Sequence, residues 1–122
     1  SLNMLLATQK CQIDLIKIDV QGWEEKVLLG SKNILKKNKD ITLIIEIWPQ
    51  GLNEAGSDYS DILAFLFKFG FNIFVVDEQK GLCFKINNKY KFSEMFDKYV
   101  QSGYVDIICT RNKNVICQLP IG

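Results

Sequence analysis

The sequence predicts an α/β domain with a mostly parallel β-sheet. Two observations support this class. Apolar segments of strand length alternate with segments of helical periodicity, and the first two apolar segments are continuous enough to be buried on both faces of a sheet. We expect the order β-α-β-α-β-β-α-β, in which right-handed crossovers make the first strands parallel.

The clearest element is a strand–turn–helix unit at 14–35, with the sequence DLIKIDVQGWEEKVLLGSKNIL. Its first part has the apolar residues of a buried strand, which Gly22 interrupts. From Val27 to Leu35 the apolar side chains recur on one face of a helix. Carboxylates in the first turn and lysines in the last turn suit the helix dipole.

A second buried strand is expected at 41–48, because this segment is rich in β-branched residues and Pro49 stops it. Loop-forming residues dominate 49–58, which predicts a loop beside the turn at Gly22. The apolar stripe at 62–69 then predicts a helix that packs against the core.

The rest of the chain predicts three further strands and a short helix. Segments 71–76 and 82–86 are expected to pair as a hairpin, since the second alternates apolar and polar residues. A short helix and a last strand at 104–110 follow, with Asp106 as an ordinary polar-face residue. The final segment predicts a short strand at 115–119.

The segment KIDVQGWEEKVLLGS resembles the signature of FkbM-type S-adenosylmethionine-dependent methyltransferases, whose usual form is close to K-I-D-V-E-G-x-E-x-x-V-L-x-G-A. Gln21 stands where that family usually has Glu, and Ser31 where it usually has Ala. The matching residues are Lys17, Ile18, Asp19, Val20, Gly22, Glu24, Val27, Leu28 and Gly30. A contiguous match of this length is far more specific than a lone pair of glycines.

The resemblance implies the C-terminal part of a class I, Rossmann-like methyltransferase fold, from its fourth strand onward, with the last strand running antiparallel. Such a domain holds S-adenosylmethionine mainly at a glycine-rich turn after its first strand, where the backbone approaches the cofactor closely. This sequence has no such turn: Gly22 and Gly30 are too far apart, and Gly51 and Gly56 precede a helix. We therefore expect 1–122 to be a single partial domain without the cofactor-binding half, inactive alone.

Candidate site residues gather at the carboxyl ends of the first two strands, where open α/β sheets bind their ligands. Asp19 is the candidate for orienting or deprotonating the acceptor hydroxyl. The resemblance implies Glu24 and Glu46 as supporting catalytic carboxylates. It also implies that Asp19, Gln21 and Gly22 contribute to cofactor binding in the complete domain.

Trp23 and Trp48 are expected to flank the same crevice and to stack on a substrate. Each of these candidates also has a purely structural interpretation. Asp19 and Glu24 would then cap the turn and the helix start, and Glu46 would form an ion pair at an edge. The two tryptophans would only cover the core.

The composition argues against several other functions. A net charge of +1 without a basic, aromatic-rich patch gives nucleic-acid binding no support. The absence of histidine removes the Ser/His and Cys/His catalytic pairs. Four scattered cysteines without a CxxC pair predict no metal site and a reduced, cytoplasmic setting. The apolar segments are too short to cross a membrane.

We predict an O-methyltransferase that acts on a hydroxyl of a small molecule or a glycan. The alternative is a non-catalytic α/β interaction module that self-associates through its exposed sheet edge, because a truncated sheet leaves its first strand unpaired. A receiver-like or flavodoxin-type domain is disfavoured, since the first strand does not end in the acidic cluster that such a domain needs.

Overall fold

The computed structural model describes residues 14–99 and 102–122. These residues form a five-stranded sheet and a set of helices around it. The strands are β1 (Leu15–Ile18), β2 (Thr42–Ile47), β3 (Asn72–Asp77), β4 (Leu82–Ile86) and β5 (Val105–Thr110). The helices are α1 (Glu24–Leu29), α2 (Lys32–Lys37), α3 (Pro49–Glu54), α4 (Tyr59–Lys68), α5 (Lys89–Tyr99) and α6 (Lys113–Gln118).

The strand order is β1-β2-β5-β3-β4. Strand β1 is parallel to β2, whereas β5 is antiparallel to both β2 and β3, and β4 is antiparallel to β3. The predicted α/β class, the antiparallel last strand and the β3–β4 hairpin are therefore confirmed. The predicted mostly parallel sheet is wrong, because three of the four strand pairs are antiparallel. Strand β5 lies between β2 and β3, so these two strands share a direction without pairing.

The long helix predicted after Gly22 is in fact two short helices, α1 and α2. Gly30 follows α1 directly, and glycine has a low helix propensity. Ser31 is buried, and its hydroxyl donates to the carbonyl of Val27 at 2.7 Å. Because this bond competes with regular helix geometry, the chain turns between the two helices.

Two predicted irregular or extended segments are helical. The predicted loop at 49–58 contains α3, which begins with Pro49 and is anchored by the fully buried Leu52. Proline suits the first helical position because its missing N–H would have no partner there. The predicted strand at 115–119 lies in α6, where the Asn112 side chain accepts from the N–H of Asn114 at 2.9 Å. The residues at the start of these two short helices, rather than an apolar stripe, determine where each helix forms.

The hydrophobic core lies between one face of the sheet and the helices. Alternate residues of the central strands, such as Ile45, Ile107 and Val75, are at most 2% exposed. Leu28 of α1 and Leu66 of α4 pack into the same cluster. Complete burial of such a side chain contributes about 1.5–3 kcal/mol, so this layer fixes how the strands sit relative to the helices.

Arg111, the first residue after β5, closes the sheet at the end opposite to the candidate site. Its guanidinium lies 4.4 Å from the centre of the Phe71 ring. It donates hydrogen bonds to main-chain carbonyls at the ends of α2 and α4, namely those of Leu35, Asn38, Lys39 and Phe69. Burial lowers the pKa of Arg111, and the neighbouring carboxylate of Asp40 opposes that shift. One side chain therefore supplies hydrogen-bond donors to carbonyls at the ends of two helices.

The two outer strands of the described sheet differ. Strand β4 is covered by the last residues of the chain: the N–H of Cys83 donates to the carbonyl of Pro120, and the N–H of Gly122 donates to the carbonyl of Cys83, both at 2.9 Å. Strand β1 forms the other edge, where Leu15 is 58% exposed. Within the described residues, no helix is long and apolar enough to span a membrane.

Candidate functional site

Three carboxylates from three neighbouring strands meet where β1 and β2 end and β5 begins. Glu46 and Asp106 are direct partners in the β2–β5 register. Asp19 follows the last paired residue of β1, Ile18, which lies opposite Ile45. Because these acidic residues alternate with core residues, all three lie on the sheet face away from the core. We call Asp19, Glu46 and Asp106 the acidic mouth.

Two carboxylates of the acidic mouth, Glu46 and Asp106, have raised pKa values. The pKa of Glu46 is raised first by burial and then by the charges of Asp19, Asp106 and Glu24, while Lys17 opposes the shift. Like charges that face each other directly on neighbouring strands also lower the stability of the folded state. Carboxylates with raised pKa values that lie at one edge of a sheet are typical of sites that hold or accept protons.

Asp106 was expected to be an ordinary polar-face residue, and the structure places it inside the acidic mouth. Burial is the main cause of its raised pKa, followed by the charge of Glu78, with Lys17 lowering the pKa and Asp19 raising it. The alternation of polar and apolar residues in β5 indicated which face of the sheet Asp106 occupies. The residues that surround Asp106 depend on the insertion of β5 between β2 and β3, which no local pattern shows.

A tight turn after β1 positions Asp19. Gln21 has φ +54° and Gly22 has φ +102°, and the N–H of Trp23 donates to the carbonyl of Val20 at 3.4 Å. Positive φ at both central residues is typical of a type I′ turn. The side-chain amide of Gln21 donates to the Asp19 carboxylate at 3.1 Å. The neutral amide that replaces the usual Glu therefore orients Asp19 rather than repelling it.

Glu24 faces into this turn and is 1% exposed. One carboxylate oxygen accepts from the N–H of Gly22 at 2.9 Å, and the other accepts from the N–H of Val20 at 3.4 Å. A buried carboxylate that accepts from backbone donors is well satisfied. The geometry therefore matches the capping interpretation of Glu24, which holds the turn from inside.

Gly22, Gly51 and Trp48 form a stack that ties the turn to α3. A Cβ atom added at Gly22 would lie 2.5 Å from the carbonyl oxygen of Gly51, and one added at Gly51 would overlap the indole of Trp48. Gly22 can pack against the backbone of Gly51 because it has no side chain. This contact leaves no room for a ligand on that side of Gly22. Trp48 is half-buried on the other side of Gly51.

Trp23 is more open than Trp48 and is 50% exposed. The ammonium of Lys26 lies 3.8 Å from the centre of its ring. A cation over an exposed indole contributes about 0.5–1 kcal/mol and limits the ring's orientations. Trp23 thus presents an oriented aromatic surface next to the turn that carries Asp19.

The described part of the chain contains no group of three Cys, Asp or Glu side chains arranged to hold a metal ion. The thiols of Cys83 and Cys109 are buried, and burial raises the pKa of both, so they remain protonated and unreactive. Cys117 is exposed, and Cys11 lies outside the described residues. None of the three described thiols is among the groups that shift the pKa values in the acidic mouth.

Comparison with protein families gives one match. The model of the FkbM methyltransferase domain matches residues 2–73, which is more than half of the chain and includes β1, the turn, Glu46 and α3. No curated protein sequence and no solved structure matches the chain significantly.

Proposed function

Because the chain belongs to the FkbM methyltransferase domain family, we propose that it supplies the acceptor-binding part of an S-adenosylmethionine-dependent methyltransferase. The proposed reaction is O-methyl transfer to a hydroxyl of a small molecule or a glycan. The observation that carries the proposal is the position of Asp19, exposed beside Glu46 and oriented by Gln21. The antiparallel last strand β5 supports the assignment to the C-terminal part of a class I methyltransferase fold.

The acidic mouth can perform the acid–base part of such a transfer. S-adenosylmethionine would supply the electrophilic methyl group. Asp19 would orient an acceptor hydroxyl by accepting its hydrogen bond and would take up the proton that this hydroxyl releases. Glu46 supports this step as a neighbouring carboxylate with a raised pKa. Glu24 acts as a positioning residue, because it holds the turn through Gly22.

The aromatic side chains complete the proposed acceptor site. Trp23 offers a half-exposed ring at the end of the turn that follows Asp19, and Trp48 closes the α3 side behind Gly51. An indole face next to a carboxylate suits an acceptor that has both an apolar surface and hydroxyl groups. This combination supports a small molecule or a glycan as the acceptor.

The described residues do not fit a complete S-adenosylmethionine site. Gly22 packs against Gly51 instead of facing a ligand, so Asp19 and Gln21 are the remaining contributors from the turn. We propose that the rest of the cofactor site belongs to a longer polypeptide and that 1–122 alone is inactive.

Calorimetric titration of the 122-residue chain with S-adenosylhomocysteine tests this part of the proposal. We expect no saturable heat. Saturable binding with a micromolar dissociation constant would show that the chain builds a cofactor site by itself and would overturn the partial-domain proposal.

The role of Asp19 is tested by Asp19→Asn in the longer polypeptide that contains this chain. Loss of a general base typically lowers turnover by about 10²- to 10⁴-fold. Asp14→Asn is the matched control, since Asp14 is also exposed and lies at the other end of β1. Unchanged turnover in Asp19→Asn, with an unchanged melting temperature, would discard the assignment.

A second candidate function is a non-catalytic module that self-associates through β1. The observation that favours it is the exposure of Leu15 on an outer strand of the described sheet, in contrast to the covered β4. Leu15→Lys places a charge on that edge and is expected to disrupt strand pairing between copies. Light scattering after size-exclusion chromatography measures the mass: a dimer that Leu15→Lys dissociates supports the module, and a monomer at every concentration contradicts it.

A further inference from the structure

A cavity of about 410 Å³ lies between β4, α5 and the last residues of the chain. It shares no residue with the acidic mouth, and β3 separates β4 from β5, which carries Asp106, so the two strands are about 9–10 Å apart at the usual strand spacing. Its volume falls within the range of about 300–1,000 Å³ that is typical of small-molecule sites. No residue of the cavity belongs to the proposed methyl-transfer site.

The inner wall of the cavity is apolar. Met95 of α5 is 4% exposed, and the half-buried ring of Phe84 lies beside it in the cavity wall. Gly122 packs so closely on that ring that a Cβ atom there would overlap it. Ile121, held next to β4 by its bridge to Cys83, is 47% exposed and completes the apolar surface. An apolar ligand surface would be buried against these groups.

The rim of the cavity is predominantly cationic. Lys85 of β4 and Lys91 and Lys98 of α5 line it, together with a single carboxylate side chain, that of Glu94. The ammonium of Lys91 lies 3.4 Å from the Glu94 carboxylate, and both side chains are largely exposed. In the 122-residue chain the three lysines outnumber the two carboxylates of the lining, those of the Glu94 side chain and of the terminal Gly122, so the rim favours anions, in contrast to the acidic mouth.

We propose that this cavity binds a small organic anion with an apolar body, such as an aryl carboxylate. The apolar wall would bury the body of the ligand, and the lysines would fix its charged group at the rim. The proposal rests on the cavity alone and stands or falls independently of the methyltransferase assignment.

Titration of the full chain with 2-naphthoate and with 2-naphthamide, followed by calorimetry, tests the proposal. The two probes have the same ring system and differ in charge. We expect saturable binding of 2-naphthoate and binding of 2-naphthamide that is weaker by about tenfold or more. Equal binding of the two probes, or no saturable binding of 2-naphthoate at millimolar concentration, would overturn the proposal.

Charge variants locate the binding. Lys85→Glu should weaken 2-naphthoate binding by about tenfold. Glu94→Gln removes the rim carboxylate that pairs with Lys91 and should tighten binding about two- to fivefold, the usual size of an exposed ion-pair effect. Lys32→Glu, an exposed charge reversal in the first turn of α2, is the matched control and should leave binding unchanged. A loss of affinity in Lys32→Glu equal to that in Lys85→Glu would contradict the proposed site.

Discussion

The two ends of the sheet are built in opposite ways. At the end closed by Arg111, charged and polar groups are matched to partners: the guanidinium binds four carbonyls, and the hydroxyls of Thr42 and Thr110 lie 2.9 Å apart within hydrogen-bond distance. At the acidic mouth, Glu46 and Asp106 face each other across neighbouring strands, and the pKa of each is raised. The charge at the Arg111 end is matched by hydrogen-bond acceptors, whereas the like charges at the acidic mouth repel one another and lower stability.

This difference indicates where the fold gains stability and where it holds reactive groups. Hydrogen bonds from a charged donor to buried carbonyls are among the stronger polar interactions, so the Arg111 end holds α2 and α4 to β5. Like charges kept together lower stability, and proteins retain them mainly where function requires them. The comparison predicts that removal of the Arg111 charge lowers stability, whereas removal of a charge from the acidic mouth raises it.

Removal of Arg111 should have the largest effect. Arg111→Met removes the donors to the Leu35 and Phe69 carbonyls at the ends of α2 and α4, and we expect the free energy of unfolding to fall by about 3–5 kcal/mol. Urea denaturation at neutral pH measures it. Arg111→Lys keeps the charge but not the planar set of donors, so it should recover only part of the loss.

Lys113→Met is the control for Arg111→Met, because Lys113 is an exposed cation two residues further along the chain. It should change the free energy of unfolding by less than about 0.5 kcal/mol. If Arg111→Met costs as little as Lys113→Met, the guanidinium does not hold this end of the sheet together, and the comparison fails.

Gly22→Ala should give the next largest effect and tests how rigidly the acidic mouth is held. The new methyl group would meet the carbonyl of Gly51 at 2.5 Å, and φ of +102° is unfavourable for alanine. We expect a loss of about 2–3 kcal/mol in the free energy of unfolding. Gly56→Ala separates the two causes, since Gly56 has φ +80° but nothing within 4 Å. It should cost only about 1 kcal/mol, and equal losses in the two variants would show that the contact with Gly51 is unimportant.

Glu24→Gln should have a smaller effect at the same turn. Glutamine keeps one acceptor oxygen, so one of the backbone donors of Val20 and Gly22 loses its partner, at a cost of about 1–2 kcal/mol. Glu25→Gln is the matched control, because Glu25 also lies in the first turn of α1 but is not buried. Thermal unfolding measures the melting temperatures of both variants. Equal decreases would mean that both substitutions act only through the helix dipole.

Much of this fold follows from local pattern. The apolar runs of β1 and β2 and the stripe of α4 specify those elements directly, and the sequence also placed Asp19 and Glu46 at one edge of the sheet. Strand β5 was predicted as a strand, but its place between β2 and β3 depends on contacts between distant segments. The error in sheet direction and the unpredicted position of Asp106 beside Glu46 have this single cause.

The end closed by Arg111 was not predicted, although the sequence held a signal. Arg111 is the only arginine of the chain and follows a strand directly. Its partners are main-chain carbonyls, which carry no sequence pattern, so no spacing could identify them. The Gly22–Gly51 contact was missed for a similar reason, because it joins two backbones that are distant in sequence.

Asp106→Asn should give the smallest effect, and the only gain in stability. The pKa of Asp106 is raised above its ordinary value of 3.8 in the folded chain. Its ionised form therefore costs stability that is absent at low pH and appears as the pH rises through the folded pKa. At pH 7 the variant should be more stable by about 0.2–1 kcal/mol, and the difference should shrink towards zero as the pH falls to about 3.5. Asp97→Asn, at an exposed position of α5, should show no such dependence. Urea unfolding across this pH range measures both, and a loss of stability in Asp106→Asn at pH 7 would show that the acidic mouth is not the costly end of the sheet.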